Sequence, residues 1–348
     1  MTYLISLIMI LFLLNITLLI YLLIRKNYHQ RKQIRKMELE KEVTLLIEEI
    51  ARNKREGIPS SVKRSFLFYE VLQEIISHYI QLFNDQETSS ALKQVASDEL
   101  SVLYRKKLRK GSWSERMNVL YYIEDFEMKV LRGDLWLEYE TKKQTEAEKY
   151  QIIRALATLH DKRLLDQIKG SPDWPYFLFK ECFRRYGVEP LHFLIENCLT
   201  DLSERVQVAL LDVAIESKDL KLSSLFDELL LADSPEVRIR ALKAIFVFGA
   251  TSKEQELVQF QSSDHWVERM LFARIAGKLK LQRYCELLVK LLSDSSWWVR
   301  QAAAESLARY ESGLFILEFV YETSKDKFAR DTAYQWLGEA VGQNVDNE

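Results

Sequence analysis

The groups with most scope for chemistry are five histidines, three cysteines and a few carboxylate clusters. Their spacing argues against most of that chemistry. His29, His78, His160, His192 and His265 are scattered through 348 residues. Glu189-Pro-Leu-His192 has the spacing of one half of a helix-bundle di-metal site. A metal pair needs two such halves, so a single copy reads as surface or packing. Glu124-Asp125-x-Glu127 fits a solvated helix face better than an acid/base pair. Cys182, Cys198 and Cys285 lie 16 and 87 residues apart. That matches neither a disulfide framework nor paired zinc ligands, and suits buried thiols in a reducing compartment. There is no Gly-rich phosphate loop, Gly-x-Ser-x-Gly elbow, His-Glu-x-x-His or Cys-x-x-Cys. The expectation is no catalytic residue, no metal and no cofactor.

Two groups could bind rather than react. Trp297-Trp298 invites a stacking role with a ligand. One of the two must face solvent or the neighbouring unit, while a helix-start aromatic more commonly packs between units. Arg105, Lys106, Lys107, Arg109 and Lys110 form a basic patch that could take phosphate or lipid. At a helix C-terminus the same cations simply complement the helix dipole, which is the plainer reading.

The elements that must position these residues are organised around residues 294–309. Asp294 and Ser295 or Ser296 can cap a helix start, and Val299, Ala303 and Leu307 recur every four residues as a helical stripe. The stretch repeats. With Val299 as marker, the equivalents are Arg205, Val237, Val267 and Ala329, separated by 32, 30, 32 and 30 residues. Four residues on come Ala209, Ala241, Leu271, Ala303 and Ala333; eight on come Val213, Ile245, Ile275, Leu307 and Leu337. A period near 31 marks an array of supersecondary units, none of which can bury its apolar face alone. The expected fold is all-α.

The pattern of an Asp, three or four residues and then Val-Arg, as in Asp233-Ser-Pro-Glu-Val-Arg238 and again from Asp294 to Arg300, followed by an Ala-rich helix, resembles the HEAT repeat family over residues 200–341. The resemblance implies an α-solenoid of HEAT-like helix pairs. It also implies a structural ladder between neighbouring units, here Asp201, Asp233, Asp294 and Asp326 with Arg238, Arg300 and Arg330. The third unit carries Glu268 at the arginine position. Some proteins of this kind attach bilin chromophores, and others excise alkylated bases from DNA held in a basic concave face. No motif here carries the first activity, and the charge balance opposes the second.

With 48% hydrophobic residues, 10 Gly and 5 Pro, the chain reads as nearly all helix. Residues 1–24 carry no charge, and 25–36 carry six basic residues and no acid. The rest holds 43 basic against 51 acidic side chains, a poor surface for binding a nucleic-acid backbone. Residues 3–24 are apolar over roughly 33 Å of helix, enough to span a bilayer. With the basic flank 25–36 held inside, the expectation is a single-pass cell-membrane protein, N-terminus outside and the remainder cytoplasmic. The expected layout is an anchor over 1–25, a charged helical stalk over 26–56, a helical domain with degenerate repeats over 57–170, the repeat array over 171–341 and a polar tail over 342–348. Asn15 and Thr17 could bond a second membrane helix.

The leading functional expectation is a membrane-anchored scaffold that binds a protein, with membrane proteins among the candidate partners, through the solenoid surface, and performs no turnover. The alternatives are an accessory subunit of a membrane enzyme, such as a polysaccharide-synthesising glycosyltransferase, and a bilin-lyase-like enzyme. If the stripe at the marker, plus four and plus eight is buried, positions plus two and plus six face outward: Ile239 and Lys243, Arg269 and Ala273, Gln301 and Glu305, Asp331 and Gln335. Ile239, Lys243, Arg269, Gln301 and Glu305 are the expected partner-binding residues.

Overall fold

The structure, a computed structural model, describes residues 2–52, 55–83, 85–141, 144–170 and 172–345; side chains of 2–8, 10, 11 and 339–345 are outside that description. Among the described residues every regular element is helical. The chain forms two compact units, 1–161 and 162–348. The expected boundaries at 25/26, 56/57 and 170/171 do not coincide with this division, and the first helix runs unbroken through 25/26.

The first unit comprises α1 (Thr2–Ala51), α2 (Phe66–Leu82), α3 (Gln86–Lys110), α4 (Trp113–Asp125), α5 (Arg132–Tyr139) and α6 (Glu146–Thr158). Val43, Ile47 and Ile50, spaced four and three, form one apolar stripe that α1 buries within the unit, where it packs on α2 and α3. Residues 12–24 of the same helix are exposed. Helices α2, α3, α4 and α6 start with side-chain caps that satisfy otherwise orphaned N–H groups. Ser65 Oγ accepts from Phe68 N and Asp85 Oδ1 from Thr88 N. Ser112 with Glu115 and Thr145 with Glu148 are capping boxes.

The expected membrane span over 3–24 is overturned. Among the described residues no helix is long and apolar enough to cross a membrane. The expected single-pass topology and cell-membrane location fall with that span; residues 3–8, 10 and 11 lie outside the described side chains. Thr17 does not reach for another helix either: its hydroxyl donates within α1 to the carbonyls of Leu13 and Leu14, at 2.8 and 2.9 Å.

The second unit comprises α7 (Lys162–Lys169), α8 (Tyr176–Tyr186), α9 (Val188–Cys198), α10 (Glu204–Ser217), α11 (Ser223–Glu228), α12 (Pro235–Phe248), α13 (Trp266–Lys278), α14 (Cys285–Leu291), α15 (Trp297–Ala308), α16 (Gly313–Thr323) and α17 (Lys327–Val345). A 3-10 stretch, Glu256–Ser262, stands where α12's second helix would be. The first helices α8, α10, α12, α13, α15 and α17 pack in succession, each on the next. A small residue four after the marker explains this in four of the units: Ala209, Ala241, Ala303 and Ala333 are fully buried. The closest approach is at Gly277. A Cβ there would stand 2.4 Å from Ser306 Cβ and 2.6 Å from its Cα, so α13 tolerates no side chain against α15. Ser306 Oγ completes the contact by donating to the Ala273 carbonyl at 2.8 Å.

Candidate functional site

Along one edge of the second unit lie the starts of the first helices, and those of α12, α13, α15 and α17 are each braced by an arginine near the helix's own first turn. Arg238 Nη1 donates to the carbonyls of Ala232 and Asp233, both at 2.8 Å. Arg269 Nη1 does the same to Ser263 and Asp264, Arg300 Nη1 to Asp294 and Ser295, and Arg330 Nη1 to Ser324. The guanidinium fork suits this task because it offers several donors in a fixed plane. These arginines are 31, 31 and 30 residues apart. Arg269 therefore holds the arginine position of the third unit, and the expectation that Glu268 occupied it was one residue out of phase. The slip has a physical origin: Val267, Leu271, Ile275 and Glu268, Phe272, Ala276 both read as apolar at plus four and plus eight.

Arg238, Arg269 and Arg300 also reach to the next repeat. Arg238 Nε donates to Glu268 Oε1 at 2.8 Å, and Glu268 is buried. Arg269 Nε and Nη2 hold Asp294 Oδ2 and Oδ1 at 2.7 and 2.9 Å, a bidentate pair. Burial pushes Asp294 up, but the bonds from Arg269 and from Ser296 N–H outweigh it and hold the carboxyl below its usual range. At Arg300 the next repeat presents the Phe328 ring, 4.7 Å from the guanidinium carbon. Arg116 in the first unit repeats the arrangement, with Nη1 on the Gly111 carbonyl and Nε on buried Glu148 at 2.6 Å. Of the four expected ladder aspartates, Asp294 is the one whose carboxylate spans two repeats. Asp233 offers its carbonyl, Asp326 Oδ1 caps Ala329 N at 2.8 Å, and Asp201 is an exposed residue closing a 3-10 turn.

The expected partner-binding row is largely occupied inside the molecule. Arg269 belongs to the brace just described. Gln301 donates to Gln335 Oε1 at 3.1 Å and accepts from Trp336 Nε1 at 2.8 Å. Glu305 pairs with Arg309, and Lys243 lies 3.5 Å from Asp212 while remaining exposed. Ile239 is half-buried, Ala273 is fully buried, and Asp331 and Gln335 are exposed. The inner first helices α10, α12, α13 and α15 each have a first helix on both flanks, so burial there covers more than the single stripe the pattern revealed.

What the edge does expose is aromatic. Trp266, Trp297, Trp298 and Phe328 are 42%, 49%, 55% and 58% exposed, so neither tryptophan of the pair is packed away between repeats. Trp266, Trp297 and Phe328 are spaced 31 and 31 residues apart, each at the first or second position of its helix. Trp297 and Trp298 meet edge to face, ring centroids 4.7 Å apart. With α13, α15 and α17 packed in turn at typical helix spacings of 8–10 Å, the row extends roughly 20 Å. Beside it, between the starts of α12 and α13, a recess of about 520 Å³ is lined by Arg238, Glu268, Asp264 and His265 among others. Sequence reasoning singled out Trp297 and Trp298; aligning all repeats on the brace arginine would have added Trp266 and Phe328.

The other chemical suspects have structural duties. His192 Nε2 lies 2.9 Å from Asp219 Oδ2. Glu124 accepts from Gln151, and Glu127 pairs with Lys93 at 2.6 Å. Arg105 and Arg109 both grip Asp134, at 2.9 and 3.0 Å. Cys182 and Cys198 are buried and Cys285 is partly so, all unbridged. Among the described residues no group of three His, Cys, Asp or Glu side chains could hold a metal ion.

The stacked helix pairs and their arginine braces define the second unit as an α-solenoid. Its repeats are HEAT-like: the family model described as HEAT repeats matches residues 222–308 and 254–338. No curated protein matches the chain. Among solved structures, the crystal structure of an engineered protein is similar at 14% identity and a TM-score of 0.38, over 86% of this chain and 98% of that one. The complex of CpcE and CpcF of phycocyanin lyase from Nostoc sp. PCC7120 is similar at 18% identity and a TM-score of 0.27, over 68% and 93%. Both superpositions are loose, and neither bears on what this chain does.

Proposed function

We propose that this protein is a scaffold that binds a protein partner along the helix-start edge of its HEAT-like stack and turns over no substrate. HEAT repeats generally mediate protein–protein interaction, and a repeat stack offers an extended surface with little scope for chemistry. The observation that carries the proposal is the row of Trp266, Trp297, Trp298 and Phe328, large rings left in solvent two or three positions before the brace arginine of successive repeats. Aromatic side chains of this kind dominate the energetics of protein interfaces, and grouped apolar exposure on a folded protein marks a contact surface. The nearby mixture of Asp233, Asp264, His265 and Lys327 suits a peptide or protein surface better than a polyanion.

The test is affinity capture by the full-length protein after cross-linking, repeated with Trp297→Ser, Trp298→Ser and Phe328→Ser combined. These side chains are largely exposed, so the fold should survive, as circular dichroism will verify. Loss of the captured protein supports the assignment. Recovery of the same protein by the altered chain moves the interface elsewhere.

A further inference from the structure

A second site of different chemistry lies in the first unit, on the groove between α1 and the start of α2. The groove encloses about 730 Å³, within the range of small-molecule sites. Arg31, Lys32 and Arg35 line it from α1, and Lys63 lines it from the segment leading into α2. None of these four has an ion-pair partner among the described residues, in contrast to Lys36, which pairs with Glu74 at 2.8 Å. A fifth cation arrives from a third segment: Lys107 of α3 sits with its Nζ 5.5 Å from the centre of the Phe66 ring, itself part of the groove wall. The cations thus come from stretches at least 28 residues apart in sequence and are gathered here by the fold. The carboxylates Glu38 and Glu42 also line the groove, a turn or two further along α1 from Arg35, so its charge is polarised along the helix axis.

We infer that this groove binds a phosphate-bearing ligand with an apolar or aromatic portion. Arg31 and Arg35 are one helical turn apart, hence on one face, and offer planar forks that match phosphate oxygens two at a time. Lys32 and Lys63 add point charges. Tyr28 and Phe66, 68% and 64% exposed, supply flat apolar walls for the rest of the molecule. The phosphate belongs at the Arg31 and Arg35 end, away from Glu38 and Glu42. A phospholipid headgroup and a soluble phosphate ester present the same chemistry, and the experiment separates them.

The full-length protein is titrated at low salt with phenyl phosphate, and separately with vesicles of equimolar phosphatidylcholine and phosphatidylglycerol. Binding of phenyl phosphate assigns a soluble ester; binding of the vesicles alone assigns a headgroup. In either case Arg31→Glu combined with Arg35→Glu should weaken binding by about tenfold or more, since two phosphate contacts are removed and reversed. Lys290→Glu combined with Lys325→Glu changes the net charge equally on exposed residues of the other unit and should leave binding within about twofold. Circular dichroism confirms that each variant is folded. The inference is overturned if neither probe binds, if the control pair weakens binding as much, or if a polyglutamate peptide displaces phenyl phosphate with equal efficiency.

Discussion

Replacing Gly277 by alanine sets two effects of known sign against each other. In a helix interior alanine is favoured over glycine by about 1 kcal/mol, because it has less backbone freedom to lose. At Gly277 the new Cβ would lie 2.4 Å from Ser306 Cβ, 2.5 Å from its Oγ and 2.6 Å from its Cα. The Oγ could rotate away, at the expense of its bond to the Ala273 carbonyl. The Cα cannot, so α13 and α15 must separate. Overpacking of this kind costs about 1–3 kcal/mol, and losing a buried hydrogen bond adds about 1 kcal/mol. The clash should win, leaving Gly277→Ala about 1–3 kcal/mol less stable after the helix gain is subtracted. The control is Gly338→Ala in the interior of α17, where nothing lies within 4 Å of the added Cβ. There the helix term acts alone and should stabilise by up to about 1 kcal/mol. Urea unfolding followed by circular dichroism measures both. A Gly277→Ala protein as stable as the parent would refute the packing of α13 on α15 described here.

Ala303→Glu places a carboxylate at a fully buried position in α15 and should cost several kcal/mol, visible as a large fall in the melting temperature. Asp294→Asn should cost about 2 kcal/mol at neutral pH by removing the carboxylate that Arg269 holds. The folded-state pKa of Asp294 is depressed, so its contribution is complete above the unfolded value near 4 and is lost as pH falls through the folded value. The gap between parent and Asp294→Asn should therefore be constant above about pH 5 and close in more acid solution, as parallel urea titrations across pH would read.

The repeat, its period and its buried small residues were legible because helix periodicity and a recurring alanine act locally along the chain. The positions four after the marker are all buried, whatever lies beside them. What escaped the pattern depended on neighbouring repeats. Glu268 looked like a failed arginine until its carboxylate was found beneath Arg238, and Arg269 looked like a surface charge until it closed on Asp294. The two tryptophans were visible as a pair, yet the row they belong to emerges only when the brace arginines set the register. The apolar N-terminal stretch misled for another reason: composition over 3–24 suggested a span that the described helices do not bear out. The basic groove was beyond reach, since Lys63 and Lys107 come to Arg31 and Arg35 only through the packing of the first unit.

The most direct test of the scaffold reading is site-specific photo-cross-linking from the helix-start edge. A benzophenone side chain is installed singly at positions 266, 297 and 328, and for comparison at exposed positions 290 and 318 on the second helices. The account predicts a common protein adduct from 297 and 328, extending to 266, and none from 290 or 318. Adducts only from 290 and 318, or no protein adduct from any position, would contradict it.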